Sequence, residues 1–265
     1  MIFDILLSSS LLLLMLTGIH TYFGREIVKR GIIFADIAVA QFSGVGIAVS
    51  LVLFHGEYVY PTSLTFGLIA SLLIALSQRL DKYSEAVIGL VYALGFSSTV
   101  LILSFSSHGM EELKKLTASD VLFVRLEEVF WTGLLYFFIA LLLYYTRRLR
   151  GLFRELSFFV LFSVTLASSV RLAGVLVVFS LLVAPALVSV LLKKGLLFAW
   201  LWGSFWSLVA IGVSFQLDFP TGYTIVFFQA LSGLFVSFMT LARSKGSFST
   251  FAISSLLVVC SNLWK

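Results

Sequence analysis

Apolar runs long enough to cross a lipid bilayer recur from one end of this chain to the other, and no other feature constrains its fold as strongly. A spanning helix needs roughly 17 to 25 predominantly apolar residues. Runs of that kind, some of them short, fall at 5–23, 32–54, 62–78, 84–106, 130–146, 156–170, 174–192, 196–215, 222–242 and 248–264. Inside hydrocarbon every backbone polar group must be satisfied within its own segment, which selects helices for solid apolar runs of this length. The charge content agrees: 12% of the 265 residues are charged and 60% are hydrophobic, about half the charged share of a soluble domain. The expectation is an all-α integral membrane protein, a polytopic bundle of eight to ten transmembrane segments forming one domain over 1–265. The first run leads directly into further spans, so it reads as a retained helix and not a cleaved signal. A single cysteine, Cys260, excludes an intrachain disulfide and any cysteine-based metal cluster.

The connections set the orientation. Arg25, Lys29 and Arg30 follow the first run, Arg79 and Lys82 the third, and the cluster "RRLRGLFR" (147–154) the fifth. The second connection, "HGEYVYP" (55–61), holds one acid and no Lys or Arg. Basic loops stay cytoplasmic, so the first, third and fifth connections are inside and the N-terminus is outside. The same rule bears on 156–192. One crossing would leave Lys193 and Lys194 outside, whereas two crossings, or one plus a re-entrant piece, return them to the inside. The break is expected at "SSVRLAG" (168–174), where Arg171 and Gly174 interrupt the apolar pattern.

Against this background one carboxylate stands out, in "GIIFADIAVAQFSGVG" (31–46). A charge near the bilayer centre costs roughly 2.5 to 3.5 kcal/mol even on the cheaper scales, so Asp36 needs a partner, water or a ligand. Positions 36, 40, 44 and 48 are Asp36, Ala40, Gly44 and Ala48, with Ser43 close to that line. Residues four apart share a helix face, and a row of small residues admits a neighbouring helix closely. Asp36 is therefore expected on a packed or pore-lining face. Either it marks a polar pathway, or it pairs with a cation such as Lys29 or Arg171 and locks packing. Similar stripes run through Gln229, Gly233 and Ser237, and through Ser163, Ala167 and Arg171.

Four stretches, "KRGIIFADIAVAQFSGVGIAV", "SEAVIGLVYALG", "SSVRLAGVLVVFSLLVAPALVSVLL" and "DFPTGYTIV", occur in the order and spacing of a known family. Together they resemble the zinc/manganese ABC-transporter permease family. The resemblance implies a multi-pass subunit of the cell membrane that pairs, usually as a homodimer, around a translocation path and works by alternating access. It implies cytoplasmic ATPase subunits, an extracytoplasmic metal-binding protein, and zinc or manganese, then iron, as cargo. No covalently bound cofactor is implied, and ATP belongs to the partner; the chain holds no "GxxxxGK[ST]" phosphate loop. Through the resemblance, Asp36 is a metal-contacting acid, and Arg147, Arg148, Arg150 and Arg154 fall in the segment that couples to the ATPase. Those arginines also suit plain topology anchors. The family's usual histidine one turn after the acid is replaced by Ala40, leaving Gln41 as the nearest polar substitute. His20, expected near the same end of the first span, is the other candidate metal ligand, or else a histidine hydrogen-bonded beside Tyr22.

Other readings remain open. A permease of the vitamin B12 or siderophore importers would share much of this pattern. An intramembrane hydrolase would need a serine such as Ser43 brought to one of the three histidines, His20, His55 or His108, the last two in loops. Asp218, ahead of Pro220 and Thr221, suits a helix-start cap, and Ser84 with Glu85 suits the start of the fourth span.

Overall fold

The computed structural model describes residues 2–32, 34–117, 121–146, 148 and 152–244. The arginines Arg147 and Arg150, and the run expected at 248–264, lie outside the described residues. Ten α-helices follow one another: α1 (Ile2–Arg30), α2 (Ala35–Phe54), α3 (Val59–Ser77), α4 (Ser84–Leu103), α5 (Gly109–Thr117), α6 (Leu126–Thr146), α7 (Leu152–Ala173), α8 (Val175–Leu191), α9 (Leu196–Leu217) and α10 (Thr221–Ser244). There is no strand among the described residues. Eight of the helices are long and apolar enough to cross a membrane, and α8, at 17 residues, is shorter. The chain is a multi-pass helical membrane protein.

Contacts at the two ends establish the path of 152–191. At one end Arg25 donates from Nη1 to the Ser189 hydroxyl (3.0 Å) and to the Lys194 carbonyl (2.6 Å), and Arg30 reaches Glu155 (3.4 Å). At the other end Arg171 meets Glu128 (3.7 Å) and lies over the Tyr60 ring. Glu155 and Lys194 thus share one basic end, which the positive-inside rule assigns to the cytoplasm as the inner end, and the intervening chain leaves it as α7 and returns as α8. The turn between them is Gly174, whose φ of 83° lies where a side chain would be strained. At ~1.5 Å per residue α8 spans about 26 Å, short of a ~30 Å hydrocarbon core. It can be short because most of its residues are buried against protein and not lipid.

The sequence underestimates several helices. α1 continues to Arg30, α6 begins at Leu126 instead of 130, and α5 is a short outer helix inside a stretch read as loop. Asp218 ends α9 in the left-handed region (φ 54°) and does not cap the start of α10. Ser84 and Glu85 do open α4.

α2 and α7 occupy the middle of the bundle. Their spans are 61% and 72% buried, against 22% for the peripheral α10. α2 packs on α3 and α4, and also on α7 and α8; α1 packs mainly on α8 and α9. Small residues make these approaches possible. A Cβ on Gly46 would stand 2.4 Å from the Thr62 carbonyl oxygen and 2.6 Å from the Ser63 backbone nitrogen. A Cβ on Gly24 would stand 2.1 Å from the Leu182 carbonyl oxygen. Gly46→Ala should therefore force α2 and α3 apart and destabilise the fold, by roughly 1–3 kcal/mol as for other overpacked sites. Gly89→Ala, where nothing lies within 4 Å, should leave the melting temperature in detergent unchanged or slightly raised; comparing the two melts checks the crossing.

A buried acid on the central helix

Asp36 sits in the first turn of α2, 1% exposed, and neither carboxylate oxygen has a hydrogen-bond partner. The cations proposed as its counter-charge are engaged elsewhere: Lys29 with Glu26 (3.6 Å) and Arg171 with Glu128. The small-residue face foreseen for α2 is real: Ala40 (2% exposed), Ser43, Gly44 and Ala48 are all buried. Asp36 is thus turned into the protein and not toward lipid.

The other candidate ligands lie apart from it. Gln41 is half-buried on the side of α2 that meets α4, its Cβ near Gly95. His20 is fully buried on α1. Its Nδ1 stands 2.7 Å from the Leu16 carbonyl, so that nitrogen donates and Nε2 is left as an unpartnered acceptor. A ring held by a backbone carbonyl with its second nitrogen free is the arrangement that metal-binding histidines use. Depth separates it from Asp36, however. Because α1 runs on to Arg30, about 15 Å of helix lies between His20 and the inner end, whereas Asp36 is in the first turn after that end. The apolar run that ends at residue 23 had placed His20 near the same end of its span as Asp36.

Two features go beyond the stripes read from the sequence. One is a polar seam beyond Asp36. Ser43 has a free hydroxyl that would meet a Cβ on Gly67 at 2.7 Å; Ser163 donates to the Gly67 carbonyl (3.0 Å) and is hydrogen-bonded to Ser71. Further out, Tyr136 is held by Ser169 (2.6 Å) and Ser168 (3.3 Å). A cleft of about 560 Å³ opens at the outer end between α3, α6 and α7, with Tyr60, Trp131, Ser168 and Arg171 in its walls; Asp36 is not among them. The stripe Ser163, Ala167, Arg171 and Ser43 beside the Asp36 face were the sequence signals for this seam. The second feature is a set of buried, unpartnered polar atoms on Thr17, Ser204 and Gln229, beside the Gln229 Nε2 bonds to the Gly203 carbonyl (2.7 Å) and to Ser207 (2.9 Å).

Of the basic segment, Arg148 is exposed in a turn after α6 and Arg154 is exposed in the first turn of α7. His55 and His108 are exposed at the outer ends of α2 and α5. Ser43 has no histidine partner, so no serine–histidine pair supports hydrolysis there.

Among the described residues, eight long apolar helices and the shorter α8 form a polytopic membrane protein whose central helix α2 carries a buried acid. Residues 2–153 and 145–241 match the ABC 3 transport family, and the chain belongs to it. A probable iron transport system membrane protein of Haemophilus influenzae is 26% identical over 186 aligned residues. That alignment covers 62% of this chain and 66% of the relative, just under two thirds of the relative's length. PsaBC from Streptococcus pneumoniae, solved in complex with Fab, has the same fold, with a TM-score of 0.72 at 17% identity over 88% of this chain and 90% of that one. An inward-facing ABC transporter described as metal-chelate type gives a TM-score of 0.63 at 18% identity, covering 88% and 85%.

An amide is cheaper to bury than an unpaired carboxylate. Asp36→Asn should accordingly melt no lower than the wild type in metal-free detergent. A clear drop in melting temperature would mean that the carboxylate has a stabilising partner in the folded protein.

Proposed function

We propose that this chain is the membrane subunit of an ATP-driven importer of a divalent transition metal, working as a homodimer by alternating access. Its partners in this reading are cytoplasmic ATPase subunits and an extracytoplasmic metal-binding protein. The observation that carries the reading is Asp36: a fully buried carboxylate with both oxygens unpartnered, on the central helix of a transport-family fold. Oxygen donors accept Zn²⁺, Mn²⁺ and Fe²⁺ alike. Zinc or manganese leads by resemblance, and the name of the Haemophilus relative favours iron as the third candidate.

One acid is a sparse ligand set, and Ala40 offers nothing beside it. Asp36 serves in this reading as a transit contact, with water completing the coordination. A weak site suits passage, since an ion held by a full protein cage would not leave. His20, with its free Nε2, is a second contact farther from the inner side, and Gln41 acts only after α2 and α4 shift. The 147–154 segment, in which Arg148 and Arg154 are exposed, is the part of the chain that couples to the ATPase in this reading. The small-residue packing about Asp36 favours a bare ion over a bulky chelate, although the likeness to a metal-chelate type transporter keeps that cargo as the second reading.

The test is uptake of ⁶⁵Zn and ⁵⁴Mn, with ⁵⁵Fe alongside, into vesicles holding the reconstituted complex. Wild type should take up at least one of them only with ATP. Asp36→Asn should lower that uptake by roughly 10- to 100-fold, the scale on which metal sites respond to losing a contributing group. Unchanged uptake of every metal would remove Asp36 from the route, and uptake without ATP would remove the importer assignment.

A further inference from the structure

We infer that Arg30 and Glu155 are positioning residues that carry movement of the 147–154 segment to the turn bearing Asp36. The inference rests on the coupling role proposed above for that segment. Glu155 is the next residue after it and stands in the first turn of α7; Arg30 is the last residue of α1. Their side chains meet at 3.4 Å, and the Arg30 guanidinium also lies 4.5 Å from the centre of the Phe158 ring, one turn along α7. Behind this contact, Phe23 of α1 packs on Phe158 (5.4 Å) and Phe162 (5.2 Å). The start of α7 is thereby gripped by the end of α1 through a charge pair and a ring cluster.

The other side of the same helix end is also held. Arg25, five residues back, ties α1 to Ser189 and to the Lys194 carbonyl after α8. Beyond Arg30 the chain turns tightly at Gly31 (φ 72°), the Ala35 amide bonds the Ile32 carbonyl (3.0 Å), and Asp36 follows. A displacement of α7 at its inner end therefore pulls on the short turn that sets the position of the acid. Half-exposed ion pairs add little to folding stability, so losing this one should spare the fold and show itself in transport.

The experiment uses the complete complex in vesicles and reads metal transported per ATP hydrolysed, with ⁵⁴Mn or ⁶⁵Zn as the probe. Glu155→Gln and Arg30→Gln should assemble, melt as wild type and hydrolyse ATP. Their metal-to-ATP ratio should fall about tenfold, the scale of mutations that interrupt a coupling element. The exchanged pair R30E/E155R should recover most of the ratio. An unchanged ratio in the single variants, equal loss of hydrolysis and transport, or failure of the exchange to rescue would each overturn the link. Metal uptake by wild type without ATP would instead overturn the importer reading and the link together.

Discussion

The cost of burying an unpaired carboxylate in a membrane helix governs where α2 stands in this protein. A helix carrying such a group cannot stand at the lipid boundary, so α2 is enclosed by α3, α4, α7 and α8. That enclosure depends in turn on small residues. Gly46 lets the backbone of α3 touch α2, and Gly67 and Ser43 bring the same helices together deeper in the bundle. On the far side Gly24 seats α1 on α8. The apolar side chains do the ordinary work of filling space around this frame, in one buried cluster that runs from α1 through α10.

Burial alone would make Asp36 a liability, and a packing role would have supplied it with a partner. The candidate cations are instead engaged elsewhere: Lys29 with Glu26 and Arg30 with Glu155 at the inner end, and Arg171 with Glu128 at the outer end. A fold that distributes its few charges this way keeps one carboxylate uncompensated on its central helix. Such a group is suited to a cation that arrives and leaves, which is the chemistry expected of a transport subunit.

Much of this was legible in the sequence because its signals are strong in a membrane. Apolar run length and basic loops placed nearly every crossing, and the need to return Lys193 and Lys194 to the inner side predicted the out-and-back course of α7 and α8. Arg171 and Gly174 marked the break by interrupting the apolar pattern, and the chain turns there at Gly174, whose φ of 83° suits glycine. The four motifs pointed to the family to which residues 2–241 belong. What stayed illegible depended on where helices stop and which faces meet. Hydropathy ends at residue 23, but α1 stays helical through polar residues to Arg30, and that extension moves His20 away from the depth of Asp36. The hydroxyl seam of Ser43, Ser71 and Ser163 lies between the consecutive α2 and α3 and the distant α7, and serines that bond a neighbouring helix look in sequence like serines that bond their own.

The central claim is that the Asp36 oxygens contact the transported ion. Its most direct test is a structure of the complex loaded with Mn²⁺ or Zn²⁺, with anomalous scattering collected at the metal edge. The account predicts a metal peak about 2.0–2.2 Å from an Asp36 oxygen, as for a zinc–carboxylate bond. A peak elsewhere along the bundle, with Asp36 still enclosed and untouched, would contradict it.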